Sequence, residues 1–151
     1  MSVLTLAEVE ALARGAHAGQ CDKAGRPYAE HLAAVADGVR SRGGSAEQIA
    51  AAWLHDAVED GAVPDGWLAT APLTPHTKEL IDAMTRRPGE ALEAYATRLR
   101  ATPGALLIKE ADVAHNADPA RLARLDPATR ERLAAKYART RELLGFPAPT
   151  A

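Results

Sequence analysis

The densest group of chemically capable residues closes the stretch Ala50 to Gly61, which reads A-A-A-W-L-H-D-A-V-E-D-G. It gathers His55, Asp56, Glu59 and Asp60 behind an apolar run. On a helix, at about 100° per residue, these side chains fan over roughly 140° of surface. His55 stacks with Glu59, and Asp56 with Asp60, at i,i+4. Read as the last two turns of a helix stopped by Gly61, the three acids face the negative pole of its dipole. That costs about 0.3–1 kcal/mol each. With Trp53, Leu54 and Val58 turned to a core, some of this charge also loses water, which is expensive unless it is paired or metal-bound. The stretch requires a cation.

Three other segments supply matching groups: His17 with Gln20, His31, and Asp112 with Asn116. Two imidazoles and two carboxylates make a mixed nitrogen and oxygen set, suited to manganese, iron(II) or a related divalent ion. His31, His55, Asp56 and Asp112 can supply that set from three helices. Glu59 and Asp60 then stand one turn further on, available for proton transfer. A divalent ion acidifies water and polarises a phosphoryl oxygen, so the reaction class is hydrolysis. Taken singly, each residue has a plainer reading. His31 alone is an ordinary core histidine, and Asp112 alone pairs with Lys109 at i,i+3 for about 0.2–0.5 kcal/mol. His76 and His115 read as surface or local structural residues, Cys21 as an ordinary turn residue. Arg86 and Arg87 form either a solvated pair or a phosphate grip, since guanidinium forks match phosphate oxygens.

The elements that must position these groups are helices. Thr5 and Glu8 form a capping box, followed by Leu6, Val9, Leu12 and Ala13 at helical spacing. Pro27 suits the first position of a second helix, with Tyr28, Leu32, Val35 and Val39 as its apolar stripe. Ser45 with Gln48 caps the third. Pro64 to Pro72 reads as a loop or short helical turn. Thr74-Pro75 opens a fourth helix, and a fifth carries Leu92, Tyr95 and Leu99. Pro103-Gly104 leads into Ala105–Ile108 and on to Asn116, where helix is preferred over strand on length. Asp118-Pro119 and Asp126-Pro127 open a short helix and a long last one. The last one ends at Gly145, and its arginines (Arg130, Arg132, Arg139, Arg141) read as a solvated face. The expected fold is all-α, one domain over 1–151 with a core of about 5–145 and a tail at 146–151.

Composition narrows the function classes. The chain has 151 residues, with 18 basic against 20 acidic and a formal charge of −2, which argues against a broad nucleic-acid grip. A lone cysteine forms no internal disulfide, so a reducing, cytoplasmic setting is expected. No leader pattern and no apolar run of about 20 residues appears, so no membrane partner is expected.

The motifs together resemble a known family. They are A-H-A-G-Q at Ala16–Gln20, G-R-P-Y-A-E-H at Gly25–His31, A-W-L-H-D-A-V-E-D at Ala52–Asp60, T-R-R-P-G-E at Thr85–Glu90 and I-K-E-A-D-V-A-H-N at Ile108–Asn116. In this order they resemble the HD-domain metal-dependent phosphohydrolases, and among them the (p)ppGpp hydrolase domain and its small stand-alone relatives. The resemblance implies an all-α HD-domain bundle in which His31, His55, Asp56 and Asp112 bind the metal, usually Mn2+. It implies that Glu59 and Asp60 orient and deprotonate the attacking water. Lys23, Lys109 and Asn116 match positions that contact nucleotide or the ligand shell; Arg86 and Arg87 join them as candidate phosphate contacts. His17 and Gln20 are expected behind the site. The implied reaction removes the 3′-pyrophosphate of (p)ppGpp, a small-molecule nucleotide, giving GDP or GTP and pyrophosphate. With no synthetase segment in the sequence, hydrolysis alone is expected. Alternatives on the same residues are another phosphorylated nucleotide or metabolite as substrate, or a non-catalytic nucleotide-binding HD domain. Asp22 stands where relatives commonly carry Arg, and an acid there is expected to repel phosphate.

Overall fold

The computed structural model describes residues 2–147, which form nine α-helices; the only strand-like pairing among them is an isolated bridge between Cys21 and Pro27. The helices are α1 (Leu6–Ala16), α2 (Tyr28–Ser41), α3 (Ala46–Leu54), α4 (Trp67–Thr70), α5 (Pro75–Met84), α6 (Leu92–Ala101), α7 (Ala105–Asn116), α8 (Pro119–Leu122) and α9 (Pro127–Leu144). The all-α expectation holds. Of the expected tail, residues from 148 onward lie outside the described ones.

Local signals set most boundaries. Thr5 and Ser45 close the two capping boxes, with Glu8 and Gln48 as their reciprocal partners. Thr74, Asp118 and Asp126 each accept a backbone N–H at the start of a helix whose first residue is proline. Pro27 is the cap residue of α2 rather than its first residue, because its ψ of 128° is extended. The region Pro64 to Pro72 contains the one-turn helix α4.

Helix α3 is the hub. Every residue from Ile49 to Leu54 is buried, and the helix packs against α1, α2, α5 and α7. Small side chains (Ala50, Ala51, Ala52) allow that many neighbours to approach. Gln48 does two jobs here: its Oε1 accepts from Ser45 N, and its Nε2 donates to Gly104 O at 3.0 Å, fixing the start of α7 against the start of α3. Gly104 has φ of +90°, and a Cβ there would sit 3.0 Å from Gln48 Nε2, so only glycine suits both backbone and neighbour. α9 closes the bundle against α6 and α7.

One expectation fails at the hub's end. α3 does not run on to Gly61: it stops at Leu54, and His55 to Gly61 form consecutive turns. The reason is local. His55 Nδ1 lies 2.6 Å from Ala52 O and takes that carbonyl, while Ala57 N turns back only three residues to Leu54 O. Gly61 still ends the coil, at φ of +67°, with Ala62 N returning to Ala57 O. Val58 points outward, 36% exposed, and is not core. The acids therefore sit on a tight turn, not at the pole of a continuing helix.

Candidate metal centre

Four side chains meet where α2, α7 and the turn after α3 converge. His31 comes from the first turn of α2, Asp112 from the middle of α7, and His55 with Asp56 from the turn. His31 Nε2 lies 3.0 Å from Asp112 Oδ1 and 3.9 Å from Asp56 Oδ2; His55 Nε2 lies 3.0 Å from Asp56 Oδ2 and 3.4 Å from Asp112 Oδ1. His31, His55 and Asp112 are all buried and each turns one ligand atom to a common point.

The donor chemistry fits a divalent cation. His55 Nδ1 is committed as donor to Ala52 O, which leaves Nε2 as a lone-pair donor toward the centre. That buried Nε2 makes no well-aligned hydrogen bond, although Asp56 Oδ2 lies 3.0 Å from it. His31 is arranged the same way, its Nδ1 2.8 Å from His115 Nδ1. His115 was expected at the surface or in a local role; it is half-buried, and burial with the neighbouring His31 lowers its pKa to about 4. It is thus a neutral imidazole backing a candidate ligand. Nothing in the chain's periodicity marks it, although His115 follows His31 in the same family motif set.

Electrostatics agree. Burial works against charge on His55, but Asp56 and Asp112 outweigh it and raise its pKa well above the usual range. Burial likewise opposes ionisation of Asp112, and Lys109 with the two imidazoles overcomes it, holding that carboxyl well below its ordinary value. Lys109 Nζ donates to Asp112 Oδ2 at 2.9 Å. Asp112 also accepts from Asn116 Nδ2 at 3.1 Å through Oδ1. Asp56 accepts from the Tyr28 hydroxyl at 2.5 Å.

Glu59 and Asp60 stand beside this cluster, and Asp56, Glu59 and Asp60 can bring carboxylate oxygens within 4.8 Å of one another. Burial and the Asp56 charge push both carboxyls up. Each is oriented from elsewhere. Glu59 Oε1 accepts Arg86 N–H at 2.8 Å, and Asp60 Oδ2 accepts Gln20 Nε2 at 3.0 Å. Gln20 is held in turn by His17, whose Nδ1 donates to Gln20 Oε1 at 2.7 Å while its ring stacks on Tyr28.

The cluster opens into a cavity of about 300 Å³. Lys23, Arg86, Lys109 and Asn116 line it; Arg87 does not, and pairs instead with Asp82 and Glu90. Tyr95, anchored through its hydroxyl to Met84 O, carries Lys109 and Arg86 over its ring at 5.2 and 5.6 Å. α9 contributes Leu133, Lys136, Tyr137 and Thr140 to the wall, a role the sequence reading did not give it. Leu133, Tyr137 and Thr140 recur at i, i+4 and i+7, so one face of α9 lines the cavity. Asp22 also lies in this wall, and its charge is matched by Arg121 at 3.2 Å. The expected repulsion of phosphate is therefore largely cancelled.

The HD-domain family model matches residues 10–144, and the chain belongs to the HD-domain family. Over 44 residues, 29% of this chain, it is 52% identical to a protein of Synechocystis sp. named "Probable guanosine-3′,5′-bis(diphosphate) 3′-pyrophosphohydrolase". That match covers 6% of the relative's own length. No helix among the described residues is long and apolar enough to cross a membrane.

Proposed function

We propose that this protein is a metal-dependent phosphohydrolase that removes pyrophosphate from a nucleotide polyphosphate, with the 3′-pyrophosphate of (p)ppGpp as its substrate and Mn2+ as its metal. The observation that carries the reading is the buried convergence of His31 and His55 Nε2, each 3.0–3.9 Å from carboxylate oxygens of Asp56 and Asp112, with Glu59 and Asp60 alongside. A cation held by those four residues supplies Lewis acidity toward a phosphoryl oxygen. Asp56 and Asp112 supply the negative charge that favours binding it, and Tyr28 and Lys109 fix their orientation.

Glu59 and Asp60 act as the proton acceptors for the attacking water. Their raised pKa values, set by burial and the neighbouring carboxylates, make them better bases than ordinary carboxylates. Lys23, Arg86 and Lys136 supply positive charge along the cavity for the substrate's phosphates, and Lys109 remains committed to Asp112. Leu122, Leu125, Leu133 and Tyr137 offer an apolar face of the kind a nucleobase packs against. The substrate assignment draws on the motif set and on the name of the Synechocystis relative.

The test is turnover of ppGpp in Mn2+, with products separated, beside a panel of other nucleotides and phosphate esters. GDP and pyrophosphate, lost on chelation and in Asp112→Ala, are the expected result. Inert ppGpp with another member of the panel hydrolysed would replace the substrate and leave the reaction class standing.

A further inference from the structure

Arg121 enters the cavity from the short helix α8, and no sequence motif singles it out. Its Nη2 donates to Asp22 Oδ2 at 3.2 Å and its Nη1 to Asn116 Oδ1 at 2.6 Å. Both members of the ion pair are largely withdrawn from water, with side-chain exposures of 16% for Arg121 and 11% for Asp22. The other carboxylate oxygen, Asp22 Oδ1, accepts the backbone N–H groups of Ala24 and Arg26, each at 2.9 Å. Asp22 thus shapes its own turn with one oxygen and holds Arg121 with the other.

We propose that Asp22 is a specificity-determining residue: by holding Arg121 it withholds that guanidinium from the ligand, and so limits how many phosphoryl groups the cavity rewards. The inference rests on the reading that the cavity takes nucleotide phosphates. A free guanidinium in such a wall is a strong phosphate ligand. One matched by a buried carboxylate adds no net charge, and drawing it away would strand Asp22 without a counter-ion. The native wall near α8 therefore gains little from an extra phosphoryl group. Asp22→Asn keeps an Oδ1 acceptor for the turn, removes the counter-charge and leaves Arg121 held by the neutral Asn116 Oδ1 alone, its charge free for a phosphate.

The probes are GMP, GDP and GTP, with binding to wild type, Asp22→Asn and Asp22→Asn/Arg121→Gln measured by calorimetry at fixed free Mn2+. In the single variant the ratio of GTP to GMP affinity rises about tenfold, the worth of one charge-assisted hydrogen bond to phosphate. In the double variant it returns to the wild-type ratio, because the freed cation is gone. An unchanged ratio in the single variant overturns the proposal. So does a raised ratio that persists in the double variant, which would assign the gain to lost carboxylate repulsion alone. Absence of binding by all three nucleotides to every variant overturns it as well. ppGpp turnover run in parallel keeps the two readings apart: a shifted ratio without turnover sinks the substrate assignment and leaves the Asp22 role intact, and normal turnover with an unshifted ratio does the reverse.

Discussion

Nδ1 of His115 lies 2.8 Å from Nδ1 of His31, so the imidazole that turns Nε2 toward Asp112 is braced from behind by a second imidazole. For His31 Nε2 to donate a lone pair, Nδ1 must carry the proton and His115 must accept it. Low basicity of His115 leaves it neutral and able to do so. Replacing His115 with Phe removes the acceptor and keeps most of the ring volume. Mn2+ affinity is expected to fall about 10- to 100-fold, the usual cost of losing such a brace. Calorimetric titration of the metal into chelator-treated protein reads this directly, and an unchanged Kd would show that His31 needs no support.

Lys109 bridges the site and the core. Its Nζ meets Asp112 Oδ2 at 2.9 Å, with 15% and 7% of the two side chains exposed. Lys109→Met leaves a buried carboxylate short of its cation. Metal-free protein is expected to lose about 3 kcal/mol of stability in urea unfolding, the scale for breaking a buried pair. Saturating Mn2+ should restore part of the loss, because the ion supplies positive charge to the same carboxylate and binds only the folded state. A loss that metal does not touch would place the role of Lys109 in packing alone.

What could be read from the chain, and what could not, divides along a physical line. Caps and turn residues act through bonds spanning a few positions, so Thr5 with Glu8, Ser45 with Gln48, and the prolines after Thr74, Asp118 and Asp126 marked their helix starts. His31, His55, Asp56 and Asp112 were legible as a set because few unrelated reasons put such groups on apolar segments. The end of α3 was not legible, because a single side-chain contact, His55 to Ala52 O, competes with the helix ladder there. His115 and Arg121 were missed for another reason: each matters only through a partner 84 or 99 residues away, and helical spacing carries no record of such contacts.

Glu59 and Asp60 should trade stability for activity. Burial raises both carboxyl pKa values, so their ionised forms are disfavoured in the fold. A carboxyl whose folded pKa lies above its unfolded value stabilises the fold as pH drops and weakens it above that folded pKa. At pH 7 the neutral isosteres Glu59→Gln and Asp60→Asn remove that cost. Metal-free Tm is expected to rise by about 1–3 °C in each, while turnover falls by at least about 100-fold. A thermal melt and a rate assay on the same samples decide it. A fall in Tm with loss of turnover would mark the acids as structural.

The chain from His17 through Gln20 to Asp60 predicts a specific kinetic signature. His17 Nδ1 donates to Gln20 Oε1, and Gln20 Nε2 donates to Asp60 Oδ2. Gln20 thereby favours the ionised form of Asp60 against burial and the Asp56 charge, which both raise its pKa. Gln20→Leu removes the donor but leaves the proposed metal ligands and the cavity cations in place. Two effects should follow. The Asp60 carboxyl moves further up, so the acid limb of the rate profile shifts to higher pH. Above that limb kcat falls about tenfold through lost orientation, with KM nearly unchanged, because the lost contact serves the proton transfer and not substrate binding. A pH profile of kcat and kcat/KM for the two proteins separates these effects. A rise in KM with kcat intact would instead place Asp60 in substrate binding and leave proton transfer to Glu59.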